Sequence, residues 1–283
     1  MLTPLLAGLL LRSQQQDTPF SVIEGVTYRT IAKRKLQMDI YRPANKTGAV
    51  PYVLVIHGGS WIGGKRADMA PVCEALAKRG VAAVTVDYRV APSSKWPAML
   101  EDCEVAYGFL TSKASTYGLN KDRVGALGAS AGGQLAMLMA FKDADAAAQK
   151  AGSPKHLKFR GVLNLFGPTL LTEDFPLDLR DSVSKMVIGK PAAETGDIAT
   201  GMSPLNFVTR LSPPVFTIQG ENDTLVPMMQ AKRLDKALVA AGVPSTLRLI
   251  PGMGHELKMS LPACTLAVED GMTFMVQRLN AKK

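Results

Sequence analysis

The 283-residue chain is poor in the side chains that most often carry chemistry: it has three histidines, three cysteines and two tryptophans. The histidines are His57, His156 and His255, so any imidazole base is one of these three. Cys73, Cys103 and Cys264 form no Cys-x-x-Cys pair and no zinc-like spacing, so no metal or other cofactor is expected. Cys73 and Cys103 stand among apolar residues in helical stretches and are predicted to be buried thiols, with one disulfide left open. No stretch after the N-terminus is long and apolar enough to cross a membrane. There are no internal repeats and no low-complexity segments. The chain carries 33 Lys and Arg against 24 Asp and Glu. Its basic residues are scattered, as at Lys33-Arg34-Lys35, Lys65-Arg66 and Lys78-Arg79, and no basic stripe is interleaved with aromatics. A nucleic-acid partner is therefore not expected, and the charge reads as a solvated surface.

What the chain does have is Val124-Gly125-Ala126-Leu127-Gly128-Ala129-Ser130-Ala131-Gly132-Gly133. It reads as a buried strand, a turn of small residues and the start of an apolar helix that continues through Gln134–Phe141. Gly128-x-Ser130-x-Gly132 is the pattern of a nucleophile elbow. A serine on a sharp strand-to-helix turn sits in a strained backbone, and its neighbours two before and two after must be small. The turn lifts Oγ to the carboxyl edge of the sheet, at a helix N-terminus that favours developing negative charge. The competing explanation is a small-residue turn that only packs helix on strand.

Along the chain, Leu2–Leu11 is apolar and precedes Arg12-Ser13-Gln14-Gln15-Gln16. It reads as the core of an export signal, although no positive charge precedes it and no clear Ala-x-Ala follows. A secreted or periplasmic location is predicted on that reading, and a cytoplasmic one otherwise. Residues 1–24 are taken as a lead-in, irregular over 17–25, and 25–283 as one domain. Val26-Tyr28-Thr30 and Leu36-Met38-Ile40 alternate with polar residues and predict an edge hairpin around Lys33-Arg34-Lys35. Tyr52–Ile56 and Val81–Val86 are continuous apolar runs, as in covered central strands. Further strands are predicted at Gly161–Phe166, Val215–Ile218 and Thr246–Ile250. Helices are predicted at Asp68–Arg79, Pro97–Thr111, Val226–Ala241 and Cys264–Leu279. Residues 167–210 break this rhythm and read as an insertion with short helices. The alternation predicts an α/β fold with a mostly parallel, doubly wound sheet.

A serine nucleophile needs a base, and the base needs an orienting acid. With a nucleophile on this kind of turn, the order along the chain is Ser, acid, His. Of the three histidines only His255 follows the last strand, in the loop Pro251-Gly252-Met253-Gly254-His255-Glu256. The acid should leave the preceding strand, within Gln219-Gly220-Glu221-Asn222-Asp223. Asp223 is the first choice and Glu221 the rival; a plain helix cap would also explain Asp223. The oxyanion of a tetrahedral intermediate needs backbone N–H donors. Ala131, after the nucleophile, is one candidate. Gly59 and Ser60, in the loop His57-Gly58-Gly59-Ser60-Trp61 after strand 52–56, are the others. His57 and Gly58 support that loop, and Trp61 braces it or lines the substrate pocket.

The set His57-Gly58-Gly59-Ser60-Trp61, Asp87-Tyr88-Arg89, Pro97-Ala98-x-x-Glu101-Asp102, Gly128-Ala129-Ser130-Ala131-Gly132-Gly133, Pro213-Pro214, Gly220-x-x-Asp223-x-x-Val226-Pro227 and Gly254-His255 occurs here in one order. In that order it resembles the α/β-hydrolase fold esterases, in the hormone-sensitive-lipase-like and feruloyl-esterase-like branch, over residues 25–280. The resemblance implies a serine carboxylesterase with Ser130, Asp223 and His255 as its triad and a small-molecule or carbohydrate-linked ester as substrate. The chain departs from lipase-type relatives at Ser60, where they carry a third glycine, and at 26–41, where they carry a helical cap. Both departures point to acetyl, feruloyl-type or other short-chain esters.

Three other functions compete. An amide hydrolase, arylformamidase-like or a peptidase, could use the same triad. A non-catalytic binding protein could share the fold. Gly59–Lys65 also nearly fits a phosphate-binding loop, but Arg66 stands where a metal-binding hydroxyl is required.

Overall fold

The computed structural model describes residues 19–149, 159–172 and 175–281. The Leu2–Leu11 segment and His156 lie outside the described residues. Eight strands form one sheet: β1 (Phe20–Ile31), β2 (Arg34–Pro43), β3 (Val50–Ile56), β4 (Ala82–Val86), β5 (Leu119–Ala129), β6 (Phe159–Leu165), β7 (Val215–Gly220) and β8 (Ser245–Ile250). Their order across the sheet is β1-β2-β4-β3-β5-β6-β7-β8. β1 and β2 pair antiparallel, as do β2 and β4, and every other neighbour is parallel. This is the α/β-hydrolase architecture, with the expected hairpin at one edge.

The hairpin turns on Ala32 and Lys33, both at positive φ, the backbone of a tight two-residue turn whose twist suits the strands. β1 starts at Phe20, earlier than the alternation suggested, so the irregular lead-in over 17–25 is a correction. The physical cause is a break in register between Ile23 and Val26. Gly25 sits there at φ +66 and is held by Asp39 Oδ1 and by the Gln37 side-chain amide. A bulge shifts the side-chain period, so alternation becomes visible only after it.

Helices cover both faces. α1 (Ala70–Lys78) and α7 (Pro262–Asn280) pack on one face, against Val53, Val55 and Leu127. α2 (Ala98–Ser112), α3 (Ala131–Gln149) and α6 (Met229–Ala240) pack on the other, against Tyr52, Leu54, Ile56 and Ala126. Successive side chains of β3 thus enter opposite cores, which is why its sequence is apolar throughout. α6 starts after the predicted Val226, because Leu225 and Val226 donate their N–H groups to Asp223 in a turn first. The region 167–210 carries the short helices α4 (Leu177–Val183) and α5 (Gly196–Met202), with a π turn at Ser184–Ile188. All three cysteines are buried and unpaired, so no disulfide forms among them. No helix among the described residues is long and apolar enough to cross a membrane.

Two acidic anchors explain motifs that carry no chemistry. Asp87 accepts from the backbone and guanidinium of Arg66, which also pairs with Asp39 at 2.9 Å. The residue that spoils the phosphate-loop pattern is thereby committed to holding β2 and β4 together. Asp102 is fully buried and accepts from Arg29 at 2.5 Å and from Arg89 Nε at 2.8 Å. It joins β1, α2 and the loop after β4. Removing the carboxylate leaves two guanidinium groups without their buried partner, which costs about 3 kcal/mol. Asp102→Ala is therefore expected to lower the unfolding free energy by about that amount in urea titration.

Candidate active site

The sheet delivers the expected residues to one edge. β5 ends at Ala129, α3 begins at Ala131, and Ser130 between them has φ +53. This left-handed conformation is uncommon for a residue with a Cβ. It is held by two backbone bonds: Ser130 N–H donates to Leu165 O at 2.8 Å, and Gln134 N–H donates to Ser130 O at 3.1 Å. The flanking glycines are sterically required. A Cβ on Gly128 would lie 2.2 Å from Gly132 O, and one on Gly132 would lie 2.1 Å from Ile56 O.

His255 arrives on the loop after β8. Its Nε2 lies 2.7 Å from Ser130 Oγ and its Nδ1 lies 2.8 Å from Asp223 Oδ2. Asp223 has a fully buried side chain. Its Oδ1 accepts from the N–H groups of Leu225 and Val226, and its Oδ2 accepts from Gln219 Nε2 at 2.9 Å. A carboxylate so placed only accepts, so Nδ1 of His255 carries the proton and Nε2 is free to accept from the serine. Glu221, the rival acid, is exposed, and the carboxylate bonded to His255 is that of Asp223. The arrangement can abstract a proton from Ser130 and hold the imidazole while it does so.

The loop after β3 lies opposite. Ile62 and Gly63 donate their N–H groups back to Gly59 O, which closes a tight turn. Ser60 and Trp61 follow at φ +52 and +62, and Gly59 at +117. Among the described residues nothing accepts from the N–H groups of Gly59, Ser60 or Ala131. His57 is buried under this loop, stacked on Tyr88 at 4.1 Å, with Nδ1 2.7 Å from Gly58 O. Gly58 packs tightly on the elbow: a Cβ there would lie 2.9 Å from Ala129 O. Trp61 both braces the loop and lines the cleft. Its Nε1 donates to Gln134 Oε1 at 3.0 Å.

A small cleft, partly open to solvent, lies above Ser130. Ser60, Trp61, Ser130 and His255 form its floor, and Pro168, Phe175, Leu179, Val183, Leu225 and Val226 form apolar walls. Most of those walls come from the inserted region. Among the described residues no group of three or more His, Cys, Asp or Glu is placed to hold a metal ion.

Three residues were missed by sequence reasoning. Gln134 ties the Trp61 loop to the insertion, since its Nε2 donates to Met202 O at 2.6 Å. Gln219 holds Asp223. Phe166, at φ +42, sets its ring against the edge of His255 at 4.9 Å. The two glutamines had a signal, because each is a lone polar side chain in an apolar run. Phe166 had none.

Residues 38–238, more than half the chain, match the BD-FAE family. The chain belongs to the BD-FAE family. Ser130 and Asp223 fall inside the matched segment and His255 falls beyond it. The chain is 29% identical to the probable carboxylic ester hydrolase LipM of Mycobacterium tuberculosis, over 70% of this chain and 48% of LipM. It is 28% identical to the esterase LipQ of the same organism, over 88% of this chain and 62% of LipQ. The chain thus spans about half to three-fifths of these curated relatives. A truncated carbohydrate esterase from gut microbiota superposes with a TM-score of 0.79 at 23% identity, covering 94% of this chain and 99% of that one. That likeness is one of fold.

Burial holds the pKa of His57 below the ordinary imidazole value, although the Gly58 carbonyl opposes this. The folded protein therefore binds fewer protons at this site than the unfolded chain. Its contribution to stability is complete above the unfolded value and is lost as pH falls below about 6.5. Wild-type protein is expected to lose more of its melting temperature between about pH 7.5 and about pH 5 than a His57→Gln variant does, in thermal denaturation followed by circular dichroism.

Proposed function

We propose that the protein is a serine carboxylesterase that hydrolyses short-chain esters through an acyl-enzyme on Ser130. The observation that carries this reading is the unbroken hydrogen-bond chain from Ser130 Oγ through His255 to Asp223. In the first half-reaction Ser130 Oγ attacks the ester carbonyl carbon while His255 Nε2 takes its proton. The carbonyl oxygen becomes an oxyanion facing the N–H groups of Gly59, Ser60 and Ala131. The tetrahedral intermediate then expels the alcohol, which leaves with the proton from His255. In the second half-reaction water attacks the acyl-serine with His255 again as base. The acid departs and Ser130 recovers its proton. Asp223 holds the imidazole in the required tautomer and stabilises the imidazolium.

Membership of the BD-FAE family and the names of LipM and LipQ support ester hydrolysis. The walls of the cleft support the choice of acyl group. Each methylene that enters an apolar wall adds about 0.8 kcal/mol, and one that stays in water adds nothing. An apolar cleft with little enclosed space above Ser130 favours a small acyl group of acetyl to butyryl size. The hairpin that replaces a helical cap lies at the far edge of the sheet from β5, so it does not cover the site. The alcohol side is free to be bulky, as in a sugar-linked ester.

Two measurements test this. In a panel of acetyl, butyryl, feruloyl and palmitoyl esters below micelle formation, kcat/KM is expected to peak at the small acyl groups and to fall for chains beyond about eight carbons. Faster hydrolysis of palmitoyl than of butyryl esters would sink the short-chain assignment. Ser130→Ala and His255→Ala are each expected to lower kcat by about a thousandfold or more in a folded protein. Asp223→Asn is expected to cost less, and Glu221→Gln to leave kcat within about twofold. A larger loss in Glu221→Gln than in Asp223→Asn would show that the wrong acid has been named.

A further inference from the structure

Four of the side chains that line the nucleophile cleft carry a polar atom: Ser60, Trp61, Ser130 and His255. Three of them are committed within the protein. Trp61 Nε1 donates to Gln134 Oε1 at 3.0 Å. Ser130 Oγ lies 2.7 Å from His255 Nε2, and His255 Nδ1 lies 2.8 Å from Asp223 Oδ2. Ser60 is the fourth, and its hydroxyl has no hydrogen-bond partner among the described residues. The other side chains of the cleft, such as Pro168, Leu179 and Val226, are apolar and offer that hydroxyl no acceptor.

Ser60 is also strained. At φ +52 it takes a left-handed backbone that a residue with a Cβ seldom adopts and that glycine takes freely. The other left-handed residues at the site use their side chains inside the protein: Trp61 is tied to Gln134, Ser130 to His255, and Phe166 packs on the His255 ring. Ser60 makes no such bond or ring contact, yet it borders the space above Ser130. Its own N–H, like those of Gly59 and Ala131, also has no acceptor among the described residues. Oγ and N stand on the same Cα, so Ser60 brings two free donors to one corner of the cleft. A strained residue whose side chain serves no internal contact points to a use in function.

We propose that the Ser60 hydroxyl is a catalytic group, distinct from the Ser60 N–H, and that it donates to the oxyanion of the tetrahedral intermediate. The proposal rests on the esterase reading of the cleft. The proton stays on Oγ throughout. The hydroxyl bonds the substrate oxygen as C=O becomes C–O⁻ and releases it when the carbonyl re-forms. A hydroxyl donates more strongly to a charged oxygen than to a neutral one. Negative charge gathers on that oxygen only as the intermediate forms, so the bond lowers the barrier more than it tightens ester binding. Acylation and deacylation both pass through such an intermediate, so both steps gain. The strain at Ser60 is then a cost to the resting fold that places a donor where charge develops.

The test measures Ser60→Ala and Ser60→Gly on p-nitrophenyl acetate and butyrate. Both variants lack the hydroxyl, but glycine relaxes the left-handed backbone and alanine keeps its strain. Each is expected to lower kcat by about tenfold or more and to leave KM within about twofold, on both esters. Inhibition by 1,1,1-trifluoropentan-2-one, whose adduct with Ser130 carries an oxyanion, is expected to weaken by the same factor as kcat. A kcat close to wild type in Ser60→Gly overturns the proposal, since the hydroxyl is then dispensable. A loss confined to KM, or to one of the two esters, also overturns it, since the contact is then with the bound ester and not with the oxyanion. If Ser60→Ala does not fold, Ser60→Gly decides, because glycine fits the loop. If wild-type protein hydrolyses neither ester, the esterase reading fails separately. Phosphonylation of Ser130 by a p-nitrophenyl phosphonate, followed by mass spectrometry, then decides the role of Ser60, because the phosphoryl oxygen takes the place of the carbonyl oxygen. Labelling slowed about tenfold or more in both variants supports it, and labelling equal in all three proteins or absent from all refutes it.

Discussion

The close approach of two backbone segments at the elbow governs the rest of the site. Gly132 lies against the carbonyls that end β3, and Gly128 lies against Gly132 itself, with no room for a Cβ at either place. That contact forces the chain to reverse within one residue, and Ser130 takes the left-handed conformation as a result. It also fixes the distance between the nucleophile and the loop after β3, because both strands end at the same level of the sheet. A larger residue at either glycine would separate the serine from its N–H donors while leaving each of them intact.

Behind this contact stands a layer of buried polar groups that never meet a substrate carbonyl. Gln219 and two backbone N–H groups hold Asp223, Tyr88 donates to His57 O, and Gln134 spans from Trp61 to Met202. Each bond is modest by itself. Together they attach the loop, the acid and the inserted wall to the strands of the sheet. Gln134 is the most consequential, since it joins the floor of the cleft to the segment that supplies its walls. Movement of the insertion and the position of the Trp61 loop are therefore coupled through one side chain.

The parts of this fold with strong periodicity could be read from the sequence. Apolar runs such as Tyr52–Ile56 announce central strands, and Gly128-x-Ser130-x-Gly132 announces the elbow because sterics leave few other residues for those positions. The chain order of Ser130, Asp223 and His255 follows from successive strands ending at one edge. Features that depend on tertiary contact were hidden. The bulge at Gly25 concealed the first turn of β1 by shifting its period. The turn closed by Asp223 delayed α6, and its hydrogen bonds involve residues three apart or fewer, yet nothing in the residue types distinguished a turn from a helix start. Phe166 acquires its place against His255 only when β6, β7 and β8 lie side by side.

The buried thiols bear on the compartments in which this architecture can persist. Burial pushes the thiols of Cys73 and Cys103 up, away from the reactive thiolate, and neither is placed to bond another cysteine. A thiol that stays protonated and out of reach of solvent is a poor target for oxidants and for disulfide exchange. No cross-link has to form for the fold to close, and none is exposed to reduction afterwards. The thiols of Cys73 and Cys103 thus need neither an oxidising nor a reducing surrounding to keep their places in the core.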